Sequence, residues 1–233
     1  MSRLEFLQAF RDRENEPQIV KAKWYIVAAT ALTAACAGDQ VPALYHLATE
    51  GLTIEERKIV QRRIKEAILK GGMLYGVPRL ADALGPLGKV IPPDEMDHYG
   101  PRSERPRTKE EEEKRAARGK RYFETLWTPA VAQAESERVA ASHPDNYLLS
   151  LKLHYEYWIS EDAILGPIET QMCNAALLIC NRSPVQAIWH TRGVVRHGGS
   201  MEQARFAQDL GLAVAEQFEV KTGDITIVDQ IDF

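Results

Sequence analysis

The chain carries one short pattern twice. Cys36, Val41, Ala43, Leu44, Tyr45 and His46 recur as Cys180, Val185, Ala187, Ile188, Trp189 and His190, at a constant offset of 144 residues. An Ala-rich apolar run precedes each cysteine, and a helix-start signal follows each histidine. Thr53-Ile54-Glu55-Glu56 and Ser200-Met201-Glu202-Gln203 both place a hydroxyl three residues before a carboxylate or amide, the capping box that satisfies N–H groups left open at a helix start. Repetition at fixed spacing marks a duplicated unit. The expectation is two versions of one helical hairpin, packed about a pseudo-twofold axis or against other copies of the chain.

Hydrophobic periodicity agrees. The run from Trp24 to Ala37, WYIVAATALTAACA, is apolar all round and predicts a helix buried on most sides. Ile59, Val60, Ile64, Ala67 and Ile68 recur at helical spacing, which assigns Arg57, Lys58, Arg62, Arg63 and Lys65 to a solvent face and Gly71-Gly72 to the helix end. Tyr75-Gly76-Val77-Pro78-Arg79 reads as a break before a short helix over 80–84. The second half reads as helices over 122–135, 146–158, 164–180, 185–196 and 201–218. Only 224–232, DITIVDQID, alternates like a strand, and without a partner it is expected as an extended tail. The expected fold class is all-α, with residues 1–88 as a first helical repeat, 89–107 as a charged Pro-rich linker and 108–233 as a second domain.

Composition narrows the function. With 233 residues, 45% of them hydrophobic, the chain can bury a substantial core. Its formal charge of −4 gives no molecule-wide footprint for nucleic acid or an anionic membrane, so neither is expected as a partner. Between Arg102 and Arg121 nine basic residues face five acidic ones; the interleaved glutamates favour a solvated helix face over an anion site. The N-terminus has no unbroken apolar stretch of a signal peptide, and the run 25–37 is too short to span a bilayer. Cys36, Cys173 and Cys180 are an odd set without zinc spacing, which argues against a disulfide framework or a structural metal and for a reducing, cytoplasmic setting.

An Ala-rich helix, a short turn, a helix carrying His, then Gly and a capped helix is the core pattern that this chain shares with the carboxymuconolactone decarboxylase family, which includes the alkyl hydroperoxidase D-like proteins. The second half resembles that family through Arg118-Gly119, Tyr122, Phe123, Glu169, Trp189-His190, Gly199-Ser200 and Glu202. The first half resembles it from Trp24 to Arg79. The resemblance implies helical-hairpin domains assembled into a dimer or trimer. It also implies a cofactor-independent lyase or isomerase that moves protons on a small organic metabolite such as an unsaturated acid, lactone or oxygenated ring. The hydroperoxidase branch carries Cys-x-x-Cys just ahead of the His; here those positions hold Ser183 and Gln186 before His190, and Asp39 and Pro42 before His46.

Proton chemistry needs a group that titrates near neutrality and a partner that fixes its tautomer. His190 is the first choice for that group, and Glu169 on the preceding helix is its expected partner. Trp189, Arg196, Tyr45 and His46 are expected to contact substrate. Cys36 and Cys180 are the redox groups of an alternative reading, a thiol-dependent hydroperoxide reductase; a non-catalytic scaffold that keeps the fold is the other alternative. No cofactor or metal is expected, and the expected partners are a small-molecule substrate and further copies of the chain. His197, before Gly198-Gly199, is expected as a helix C-cap, and the cluster Leu153 to Trp158 as core or pocket lining.

Overall fold

The apolar run that starts at Trp24 folds into a helix with no solvent face, all eleven of its residues being buried. A computed structural model describes residues 3–233, and among them the regular structure is helical throughout, with no strand. In chain order the helices are α1 (Leu7–Glu14), α2 (Trp24–Ala34), α3 (Val41–Thr49), α4 (Ile54–Tyr75), α5 (Val77–Val90), α6 (Pro101–Glu104), α7 (Lys109–Trp127), α8 (Pro129–Ser142), α9 (Pro144–Tyr147), α10 (Pro167–Cys180), α11 (Pro184–Arg196) and α12 (Met201–Gln217). A π-helical segment, Leu148–Ile159, continues α9.

Two helices from opposite ends of the sequence form the centre. α2 packs directly on α10, and the Thr30 hydroxyl donates to the Cys173 carbonyl at 3.2 Å across the contact. α4 and α12 flank this pair, each touching both central helices. Buried apolar residues of both sequence halves therefore form one cluster, from Leu4 to Val228. A second, smaller cluster of Tyr122, Phe123, Leu126, Tyr155 and Ile159 joins α7, α8 and the π segment.

Helix ends give the spacing of the two similar stretches. α2 finishes in a left-handed residue, Cys36 (φ 59°), with the Ala37 N–H on the Leu32 carbonyl at 2.9 Å; α10 finishes in Arg182 (φ 60°), with the Ser183 N–H on Leu178 at 2.9 Å. These are the same Schellman-type turn, 146 residues apart. The next helix starts, capped by Thr53 and Ser200, are 147 apart. The structural offset thus exceeds 144 by two to three residues, about 200 to 300° around a helix. Position for position, His190 corresponds to Leu44 or Ala43 and not to His46, and Cys180 does not correspond to Cys36. Hence His46 lies exposed while His190 is buried.

Several elements differ from their sequence expectation for identifiable reasons. α4 runs through Gly71-Gly72 to Tyr75 and ends at Gly76 (φ 86°). Gly71 marks a close approach, since a Cβ there would lie 2.5 Å from Leu177 Cδ1. The short helix expected over 80–84 is the fourteen-residue α5, which accommodates Pro86. The helix expected over 122–135 is broken at Thr128 (φ 68°), after which Pro129 opens α8. Residues 224–232, by contrast, form no strand, as expected of an extended tail; Gln208 bonds the Thr226 carbonyl and the Val228 N–H, each at 2.9 Å, and so holds this tail against α12. Arg63 is not on a solvent face but buried, because it pairs with Glu169 at the start of α10 and donates to the Ala22 carbonyl.

At the crossing of α12 and α10 a Cβ on Gly211 would come within 2.9 Å of Ala176 Cα. Gly211→Val should therefore destabilise the fold by about 1–3 kcal/mol through overpacking, read as a lower urea midpoint at unchanged slope. An unaltered midpoint would mean that the two helices can separate freely.

Candidate functional site

His190 sits in the middle of α11, 3% exposed, where Ala187, Thr191 and Val194 bury the same side of the helix. Its Nδ1 lies 2.8 Å from Gln171 Oε1 on α10, and the Gln171 amide donates to the Tyr122 hydroxyl on α7 at 2.7 Å. Gly193 permits this approach, because a Cβ at that position would fall 2.5 Å from Gln171 Oε1. With the Gln171 NH₂ turned to Tyr122, its oxygen faces the ring and accepts the Nδ1 proton, which leaves Nε2 as the basic nitrogen.

The network extends through aromatic contacts. The Tyr122 ring lies 4.5 Å from that of His197, the C-cap of α11, and 6.4 Å from Tyr155; Tyr155 in turn lies 5.0 Å from His154. Three imidazoles, two phenols and one carboxamide thus meet at the seam between the two apolar clusters. His154 Nδ1 and His197 Nε2 are buried without a hydrogen-bond partner among the described residues, a condition that costs about 1–3 kcal/mol per group. Burial, helped by the nearby rings of His154 and His197, lowers the His190 pKa to about 3; burial alone lowers His154 and His197 to about 4. All three rings are neutral near pH 7.

Other residues singled out from sequence lie elsewhere. Glu169 does not meet His190: one oxygen pairs with Arg63 of α4, and the other accepts the Gly166 N–H at 3.0 Å, capping α10. Trp189 leans on Trp127 with ring centroids 4.5 Å apart, and the Arg192 and Arg196 guanidiniums lie 4.7 and 6.0 Å from its ring. Arg196 donates to the Leu126 carbonyl at 2.7 Å, so it fastens α11 to α7. Tyr45 is buried beside the exposed His46. Cys180 donates its S–H to the Gly211 carbonyl at 3.3 Å, and burial pushes the Cys173 and Cys180 thiols up to about 12, so both stay protonated at neutral pH. Cys36 is exposed and lies in the turn after α2.

Sequence reading missed Gln171 and Tyr122 as a hydrogen-bonding group, and placed His154 only within the cluster expected as core or pocket lining. Gln171 was within reach: it lies two residues beyond Glu169, on nearly the opposite side of the helix. Among the described residues no group of three or more His, Cys, Asp or Glu is placed to hold a metal ion. His190 borders none of four cavities in the surface, but one of them approaches its network. A groove of about 590 Å³ between α7, α8 and the π segment has Phe123 and Tyr155 in its wall, and the Tyr155 ring lies 6.4 Å from that of Tyr122.

Histidines that ionise near 6.5 in the unfolded chain but only near 3 to 4 when folded bind more protons unfolded. Their stabilising contribution is intact above pH 6.5 and is lost as the pH falls towards 4, at up to about 1.4 kcal/mol per pH unit for each ring. Urea midpoints should fall between pH 7 and pH 5, and His154→Phe should flatten that decline. Equal slopes for both proteins would refute the assignment of a neutral, buried His154.

No family model and no solved structure matches the chain. Over 202 residues, 86% of this chain and 90% of the relative, it is 25% identical to Peroxisomal protein 2 of Schizosaccharomyces pombe. No helix among the described residues is long and apolar enough to cross a membrane.

Proposed function

We propose that the protein is a cofactor-independent enzyme of the carboxymuconolactone decarboxylase-like kind, a lyase or isomerase that moves a proton on a small organic metabolite with His190 as the base. The observation that carries this reading is the buried Gln171–His190 hydrogen bond. It fixes one tautomer and holds Nε2 ready to accept a proton, the task of the orienting partner in acid–base sites. Burial lowers the His190 pKa to about 3, below the near-neutral range expected from the sequence, so the ring starts neutral and is a weaker base than a free imidazole. Substrate would enter by the groove that has Tyr155 in its wall, with that ring displaced to admit it to Tyr122 and His190. The three unpaired cysteines suit a reducing compartment, and the name of the relative adds the peroxisome to the cytoplasm as a location to test.

A second reading, a non-catalytic protein that keeps the fold, is favoured by two observations. His190 borders none of the four cavities, and its partner is a carboxamide, which cannot take up a proton. Thiol-dependent peroxide reduction would fall to Cys36 alone as an exposed thiol.

The readings separate in deuterium oxide. Unsaturated lactones and β-keto acids incubated with the protein should exchange hydrogen next to the carbonyl, followed by NMR, and His190→Gln should slow the exchange by about a hundredfold or more. Cys36→Ser and Cys180→Ser should leave it unchanged. Exchange retained in the His190 variant would reject the base assignment, and no exchange with any of these compounds would favour the non-catalytic reading.

A further inference from the structure

The basic stretch between Arg102 and Arg121 does not lie along a featureless helix face. Chain segment 102–107, the start of α7 and the end of the π segment enclose a pocket of about 230 Å³ whose walls include five arginines: Arg102, Arg105, Arg107, Arg115 and Arg118. Three are already neutralised. Arg102 makes a two-pronged pair with Glu66 at 2.9 and 2.7 Å, Arg105 bridges Glu111 and Glu161 at 2.8 and 2.6 Å, and Arg118 meets the second Glu161 oxygen at 2.9 Å. Glu161 is 1% exposed, so these pairs pin the segment in place and fix the pocket wall.

The other two arginines have no carboxylate partner within ion-pair distance among the described residues, and only Glu112 remains among the lining acids to oppose them. Arg115 is stacked on Tyr157, 4.6 Å from the ring centre, which leaves its N–H edge free of any carboxylate. Arg102 is further fixed by the Trp158 carbonyl, which accepts from its guanidinium at 2.7 Å, and the unpaired Nε atoms of Arg102 and Arg118 are enclosed in the pocket wall.

We infer that this pocket binds the phosphoryl group of a small phosphomonoester, with Arg107 and Arg115 as the principal cations. Two unpaired guanidiniums, with five N–H donors each, offer more donors than the two oxygens of a carboxylate can accept. A phosphomonoester brings three acceptor oxygens and a charge near −2, and the planar fork of arginine suits that geometry. Tyr157, under Arg115, gives the organic part of the ester an apolar wall. The site stands apart from His190 and does not depend on the reaction proposed there.

Calorimetric titration of the full chain with phenyl phosphate tests it, with benzoate at equal ionic strength as the carboxylate control. Saturable binding of phenyl phosphate, stronger than that of benzoate and weakened about tenfold or more in Arg107→Ala/Arg115→Ala, is the expected result. Both residues lie outside the ion pairs that pin the segment, so the variant should keep the wild-type circular dichroism and urea midpoint; a variant that unfolds is replaced by Arg115→Gln alone, with the same expected loss. No binding, equal affinity for benzoate, or affinity unchanged in the variant would overturn the inference. So would binding confined to vesicles containing phosphatidic acid, since that would make the ligand a lipid surface.

Discussion

A largely buried ion pair, Arg63 with Glu169, ties the two halves of the molecule together. The Arg63 guanidinium, nearly inaccessible on α4, donates to the carbonyls of Val20 and Ala22 and to the Tyr25 hydroxyl, and it meets Glu169 at the start of α10. A charge so placed is tolerated only when it is paired and hydrogen-bonded, so Glu169 has no freedom to turn elsewhere. Further along the same side of α4, Glu66 holds Arg102, and Lys70 donates to the Leu165 carbonyl at 3.0 Å and the Thr170 hydroxyl at 2.7 Å. Positions 63, 66 and 70 follow the three- and four-residue spacing of one helix face. That face is a polar clamp on the second half, and burial without a close carboxylate partner lowers the Lys70 pKa to about 8.

With α10 held in this rotation, the chemistry available to His190 follows. Two residues beyond Glu169 the helix has turned about 200°, which brings Gln171 and not the carboxylate to the imidazole. A carboxamide orients the ring but stabilises an imidazolium far less than a carboxylate would, since hydrogen bonds to an ionised acceptor are roughly twice as strong. The ring pKa therefore stays low, with desolvation as its main cause. The neutral ring is therefore the stable form of His190 in this setting, and its orientation is set by a group that carries no charge.

Much of the architecture was legible in the sequence. The all-helical class, the buried helix from Trp24, both capping boxes and the role of His197 follow from patterns local to a few residues, where apolar periodicity and capping chemistry act directly. The pairing of distant residues was not. Arg63 sits among charges that look like a solvent face, and its burial depends on Glu169, 106 residues away. The offset of 144 likewise matched residue types across two stretches whose turns and caps are set 146 and 147 apart. An insertion of two or three residues leaves composition almost untouched but rotates a helical position to another side, so His46 and His190 share a sequence context without sharing an environment.

The π-helical segment shows the same separation between pattern and geometry. Leu151, Tyr155 and Ile159 are its buried apolar residues, and the hydrogen bonds of a π-helix span five residues. The Ser160 N–H accordingly reaches back to the Tyr155 carbonyl at 3.3 Å. That turn lets the adjacent residues His154 and Tyr155 both point inward, one towards the imidazole cluster and the other between Tyr122 and the open groove. Segments of this kind are rare because their packing is poorer than that of an α-helix, and they are found often at functional sites. Here the irregularity falls where polar rings, an accessible groove and unpartnered buried nitrogens come together, which is a stronger reason to look for chemistry at this seam than the presence of any one histidine.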